Sequence, residues 1–282
     1  MCEIALLPAI HEIDGMIKTQ VLNPIVRVVN RRIAATMGSV HRGIYLEALK
    51  ESGDSSFVER SVTSLFSSLH SNILSKLPAD FASFVAASTT IYSIYCFISN
   101  VALVRPIGES SRLRITQDLA DLEMALEQFF IKTGSGSAIP LPRINGGKPY
   151  AELRAVRQLL FWNGFDSKDP VEKLASNILH ENWIKDIRPS TVIHILASFG
   201  PKLFSSPHHM HRLSAGDYVM NNLLTAEGSY EDGEVNAWLT ILNCCDSYQQ
   251  RESIDSNDTA GDKRVIGLLH VVGPELLKRI RP

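Results

Sequence analysis

Val101 to Phe130 reads VALVRPIGESSRLRITQDLADLEMALEQFF, and this stretch decides the fold. Ile115, Leu119, Leu122, Leu126 and Phe129 recur at alternating steps of four and three. That spacing lays one apolar stripe along a helix. Asp118, Asp121, Glu123 and Glu127 fall mostly off the stripe and read as a solvated face. Upstream, Arg105-Pro106-Ile107-Gly108 marks a break. Proline disfavours helix at the residue before it, and glycine admits conformations other residues avoid. Ser110 or Ser111 then stands where a side-chain oxygen can accept a bond from a free backbone N–H and cap the next helix. A long apolar helix, a sharp corner and an amphipathic helix carry no catalytic chemistry, so the stretch points to a scaffold.

The chain has 282 residues, enough to bury a substantial core as one large domain or two small ones. Its 28 basic and 30 acidic residues give a net charge of −2. No basic cluster exceeds Arg31-Arg32 or Lys278-Arg279-Ile280-Arg281. Nucleic-acid binding needs a clustered basic face, so this balance argues against it. Cys2, Cys96, Cys244 and Cys245 form no CxxC pair, and reduced thiols in a cytosolic protein are expected. Met1 to Ile17 has no positive leader ahead of its apolar residues, so no secretory signal is expected. Phe81 to Val104 carries no charge and is long enough to cross a bilayer. Its many Ser, Thr and Ala residues favour a buried helix over a membrane span.

The remaining order is helical. Pro8 to Gly38 places Ile10, Ile13, Ile17, Val21, Ile25, Val29 and Ile33 at steps of three or four, with Pro24 as a candidate kink. Phe57 to Leu77 does the same with Val58, Val62, Leu65, Leu69, Ile73 and Leu77. Thr133 to Pro149 is dominated by Gly, Ser and Pro and reads as a loop. Helix resumes at Tyr150 to Trp162, Val171 to Trp183 and Ser190 to Phe199. Ser206-Pro207 reads as a cap with an N1 proline, and Ser214 with Asp217 and Ser229 with Asp232 have capping-box spacing. The last of these opens a helix carrying Val235, Trp238, Leu239, Leu242 and Cys245. Arg251 to Lys263 is polar and reads as disordered; Val265 to Arg281 reads as a helix interrupted near Gly273-Pro274. No alternating run demands a strand. The expected fold is all-α, an elongated bundle or rod of stacked amphipathic helices. Residues 1–133 form its amino-terminal half and 150–282 its carboxy-terminal half, joined by a flexible loop at 134–149, with a polar loop at 251–263.

Chemistry finds little support. His208, His209 and His211 cluster without a nearby cysteine, and Asp217 is the local carboxylate; an exposed polar turn explains them better than a zinc site. His11-Glu12 and His180-Glu181 begin like a zinc-protease motif, but Gly15 and Ile184 stand where its second histidine belongs. Gly146-Gly147-Lys148 lacks the leading glycine and the hydroxyl residue of a phosphate loop. The pairs Asp118 with Asp121 and Glu123 with Glu127 read as one inert solvated face, and Trp162, Trp183 and Trp238 as core fillers. No catalytic, metal or cofactor-binding residue is assigned, and no cofactor is expected.

Phe97-Ile98 through Phe130 resembles the carboxy-terminal part of the fifth-subunit family of the conserved oligomeric Golgi complex. The residues carrying this are Leu103-Val104-Arg105-Pro106-Ile107-Gly108-Glu109, then Arg112-Leu113-Arg114, then Asp118-Leu119-Ala120-Asp121-Leu122-Glu123. Tyr150 to Phe161, Pro189 to Phe204 and Trp238 to Arg251 follow in the family's order, and Gln20 to Gly43 is similar upstream. The resemblance implies an all-helical, non-catalytic subunit of a vesicle-tethering complex in intra-Golgi retrograde transport. It implies a peripheral protein on the cytosolic face of the Golgi, bound to sister subunits, with SNAREs and Rab GTPases as further candidate partners. This chain would correspond to the carboxy-terminal portion of such a subunit. The alternatives are another soluble helical adaptor, a membrane protein anchored by residues 81–104, and a metalloenzyme using His208, His209 and His211. The terminal helix, with Leu268, Leu269, Leu276, Leu277 and Ile280, and the first helix are candidate partner surfaces, with ordinary core the simpler reading of both.

Overall fold

The computed structural model describes residues 11–42, 45, 56–105, 107–133, 148–166, 168–200, 206–225, 228–229, 231–252 and 260–280. The fold is an all-α bundle. Helical residues 11–17 pass through a π turn at Lys18–Leu22 into α1 (Asn23–Met37). Then come α2 (Thr63–Asn72), α3 (Ala79–Val101), α4 (Glu109–Lys132), α5 (Lys148–Leu160), α6 (Val171–His180) and α7 (Pro189–Ser198). Two single turns, α8 (Pro207–Met210) and α9 (Ala215–Tyr218), precede α10 (Glu231–Glu252) and α11 (Ala260–Lys278).

Two helices are apolar on nearly every side and must therefore be covered on nearly every side. The first is α3. It is long and apolar enough to cross a membrane, yet 72% of its most apolar window lies buried inside the protein, packed by α1, α4 and α5. The second is α7, buried at every residue from Ser190 to Ser198 beneath α10 and α11. Helix α5 touches α3, α4 and α7, and α11 also lies on α6. On α4 the predicted stripe faces inward, with Ile115, Leu119, Leu122, Leu126 and Phe129 all buried.

Several expectations need correction. Helix α4 starts at Glu109 behind an extended Gly108, with no side-chain cap. Ser111, one turn from Ile115 on the core side, is buried and donates instead to the Tyr45 carbonyl at 2.7 Å. Ser206 stands at an N-cap without a side-chain bond, although Pro207 does occupy the first turn. Ser214 caps as expected, its hydroxyl accepting from the Asp217 N–H. Leu239 is exposed and Ile241 takes the core position expected of it, because the inward face of α10 runs through Ala237, Trp238, Ile241 and Cys245. The interruption at Gly273-Pro274 does not occur: α11 runs through both. A Cβ at Gly273 would lie 2.4 Å from the Trp238 ring, so glycine there admits the indole, and Pro274 faces solvent, where a lost backbone bond costs least. The polar stretch Arg251 to Lys263 is helical at both ends, closing α10 and opening α11, with 253–259 outside the described residues. Of the expected loop, Thr133 follows α4 and Lys148 already opens α5; 134–147 lie outside the described residues. A two-residue hairpin, β1 (Leu224–Thr225) against β2 (Gly228–Ser229), is the strand pairing among the described residues, too short to show any alternation in sequence.

Candidate functional site

The histidine cluster does not converge. His208 and His209 sit in α8 with ring centroids 4.2 Å apart, while His211 turns away to bond the Thr240 hydroxyl at 2.9 Å. Among the described residues no three His, Cys, Asp or Glu side chains gather to hold a metal ion. Burial, then His209, His41 and Arg105, push the His208 imidazole down to about 4, so it is neutral near pH 7. His11 and Glu12 are exposed, and His180 bonds the Ser176 carbonyl of its own helix at 2.6 Å. Residues 146 and 147 lie outside the described set, and Lys148 begins α5. Cys96, Cys244 and Cys245 are buried and form no disulfide among the described residues.

The acidic face of α4 is not simply solvated. Asp118 is 2% exposed and accepts from the Tyr45 hydroxyl at 2.6 Å and from the Val58 N–H at 3.1 Å. Burial raises its carboxyl above the usual range, against the pull of those bonds. Its position, three residues after Ile115 and beside Leu119, was the visible signal. Glu123 pairs with Arg154 and Arg157 of α5 at 2.6 and 2.8 Å, tying the two helices together.

The most elaborate polar centre was not anticipated from the sequence. Arg188, at the N-cap of α7, packs between α5 and α3. Its Nε donates to both oxygens of Glu152, at 2.8 and 3.0 Å, and its Nη2 reaches the Ser99 hydroxyl at 3.2 Å and, at 3.4 Å, the Tyr95 carbonyl. The guanidinium lies 4.4 Å from the centre of the Tyr95 ring, within cation–π range. Thr191 donates to Glu152 at 2.7 Å. Glu234 of α10 caps α7, accepting from the Ser190 N–H at 2.6 Å and its hydroxyl at 2.8 Å. Burial raises the Glu234 carboxyl even with Arg188 nearby. Burial lowers the Arg188 guanidinium, but Glu152 and Glu234 outweigh it and raise its pKa.

This network floors a cleft of about 480 Å³. Lys148, Lys185 and Arg279 stand at its exposed rim with Asp186, and Ile184, Ile187, Leu276 and Ile280 supply an apolar wall.

The terminal helix is mostly core: Leu268, Leu269 and Leu276 are buried, while Leu277 and Ile280 are half-buried. The first helix has two faces. Leu22, Val26, Val29, Ile33 and Met37 point inward, whereas Ile13, Met16, Val21 and Val28 are exposed. On α4, Leu113, Met124 and Ile131 are exposed too, at 52%, 60% and 63%. Their separations of eleven and seven residues are close to whole helical turns, so they share one outer line.

An all-α bundle with its polar side chains largely engaged internally, and with apolar residues exposed on two outer helix faces, is the class this fold defines. Over 124 residues, 44% of the chain, the sequence is 34% identical to conserved oligomeric Golgi complex subunit 5 of Arabidopsis thaliana. The aligned segment spans only 12% of that protein's length. Over this segment the chain is a relative of a Golgi-complex subunit. No protein-family model matches the chain, and no solved structure matches it.

Proposed function

We propose that this chain is a non-catalytic subunit, or part of one, of a Golgi vesicle-tethering complex acting in intra-Golgi retrograde transport. The observation that carries this reading is the 34% identity over 124 residues to a Golgi-complex subunit. In this reading the chain sits peripherally on the cytosolic face of the Golgi through its partners. Those partners are the other subunits of the complex, with SNAREs and Rab GTPases as further candidates. The exposed apolar rows of the first helix and of α4 are the faces that would meet partner helices, since a few apolar anchors dominate such contacts. The halves 1–133 and 150–282 would move as one body, because Arg188 of the second bonds Tyr95 and Ser99 of the first.

The test is an affinity pulldown of the tagged chain from cells, with mass-spectrometric identification of the partners. Recovery of other Golgi-complex subunits supports the reading. A soluble, folded chain that recovers none of them overturns it in favour of another helical adaptor. That second reading draws on the 56% of the chain outside the alignment (the complement of 44%). Carbonate extraction addresses the third: burial of α3 leads us to expect release into the supernatant, and retention in the membrane pellet would favour a spanning helix.

A further inference from the structure

The rim of the 480 Å³ cleft is unbalanced in charge. Lys148 and Lys185 make no ion pair or side-chain hydrogen bond among the described residues, and Arg279 bonds only the Leu179 carbonyl, at 3.2 Å. Among the described residues that line the cleft, Asp186 is the one exposed carboxylate set against these three cations. The carboxylates on the floor are engaged: Glu152 by Arg188 and Thr191, Glu234 by Ser190. Arg188 Nη1 is shut from solvent and makes no hydrogen bond among the described residues. An unpaired donor of this kind ordinarily calls for an acceptor.

We propose that this cleft docks an acidic, partly apolar segment of a partner protein. One carboxylate of that segment enters toward Arg188, and its neighbours lie against Lys148, Lys185 and Arg279. The apolar wall favours a peptide over a free phosphate, and a recessed floor is out of reach of a flat bilayer. The undescribed segments that lead into α5 and α11, the helices supplying Lys148 and Leu276, do not supply the occupant. Residues 134–147 contain Arg143 and no acid. Residues 253–259 contain Asp255 and Asp258, but Ala260 is sixteen helical residues from Leu276, roughly 24 Å at 1.5 Å per residue. Asp255 is five residues from Ala260, at most about 18 Å of extended chain. The inference stands on the cleft alone and does not depend on the tethering role.

The experiment is fluorescence anisotropy with the purified chain and a labelled amphipathic peptide of Leu and Glu, alongside its Glu-to-Gln twin. The acidic peptide is expected to bind, and its twin to bind at least about tenfold more weakly. The triple variant Lys148→Glu, Lys185→Glu, Arg279→Glu should lose binding about tenfold or more while melting as the parent does, because all three side chains are exposed. Lys173→Glu, remote and paired with Asp169, should bind as the parent does. Equal binding by the triple variant, equal binding of the twin, or no binding of the acidic peptide overturns the proposal. So does charge-dependent binding to phosphatidylserine vesicles without binding to the peptide. Sister subunits may fail to appear in a pulldown without changing any of these outcomes.

Discussion

Removing one member of the Arg188–Glu152 pair should cost far more than replacing both. The side chains are 11% and 2% exposed, so neither charge is hydrated once its partner goes. In Glu152→Leu, the Arg188 guanidinium keeps Glu234 as a nearby charge but loses both Nε bonds, and the Thr191 hydroxyl loses its acceptor. In Arg188→Met, two carboxylates remain in the interior without their cation, and Ser99 loses a donor. Breaking a buried pair from one side costs about 3–5 kcal/mol. If the singles acted independently, the double variant would lose about 6–10 kcal/mol, comparable to the whole stability of a typical domain. In the double variant no orphaned charge of the pair remains, apolar groups fill the space, and a loss of about 0–3 kcal/mol is expected. The coupling energy is therefore about 3 kcal/mol or more.

Urea denaturation followed by far-UV circular dichroism measures this cycle, provided the slope with denaturant is the same for all four proteins. The reasoning is refuted if the double variant is as unstable as the sum of the singles, or if Glu152→Leu alone costs under about 1 kcal/mol, a value typical of surface pairs.

Gly273→Ala should destabilise by about 1–2 kcal/mol: the new Cβ meets the Trp238 ring at 2.4 Å, which outweighs the gain in helix propensity, and an unchanged urea midpoint would contradict the packing. Thr89→Val should stabilise by about 1 kcal/mol, because the Thr89 hydroxyl is fully buried and makes no hydrogen bond among the described residues; a lower melting temperature would count against this. Burial, with help from Arg105 and Arg188 and against a bond to the Ser190 carbonyl, pushes the His194 imidazole from 6.5 down to about 4, so its contribution is intact above pH 6.5 and fades as pH falls toward 4, by about 2 kcal/mol at pH 5. Glu234 and Asp118, whose carboxyl pKa values are raised, act in the opposite sense over that interval, so the measurement is the change in stability between pH 7 and pH 5 in the parent against His194→Gln, and equal changes would refute the assignment.

The helices were legible because the signal that makes them is local. The row from Ile115 to Phe129 needs only its own spacing to declare an inward face, and the absence of charge in α3 after Asp80 declares burial on nearly all sides. Tertiary contact decided the places where that reading failed. Nothing near Gly273-Pro274 announces that Trp238, thirty-five residues earlier, will lie against the glycine. Ser111 has the chemistry of a cap, but the Tyr45 carbonyl lies nearer to its hydroxyl than any use at the helix end. Asp118 was assigned to the solvated face by residue type, although its place beside Leu119 puts it on the buried side.

The charged cleft illustrates why a polar site is harder to read than a core. An apolar stripe repeats within one helix, so each residue corroborates the next. The cleft draws Lys148 and Glu152 from α5, Lys185 and Asp186 from a 3₁₀ turn, Arg188 from the start of α7, Glu234 from α10 and Arg279 from beyond α11. In sequence each is an ordinary charge with an ordinary surface explanation. One feature was locally visible: Arg188 directly precedes Pro189, and proline fixes the entry to a helix whose next nine residues are all buried. A charge at the threshold of a buried helix has to be matched from elsewhere in the fold, and Glu152 and Glu234 match this one. The same logic connects stability to the proposed docking. Glu152 holds the guanidinium through Nε at the edge of the cleft, so the geometry that stabilises the interior also fixes the positive charge that a partner's carboxylate would approach.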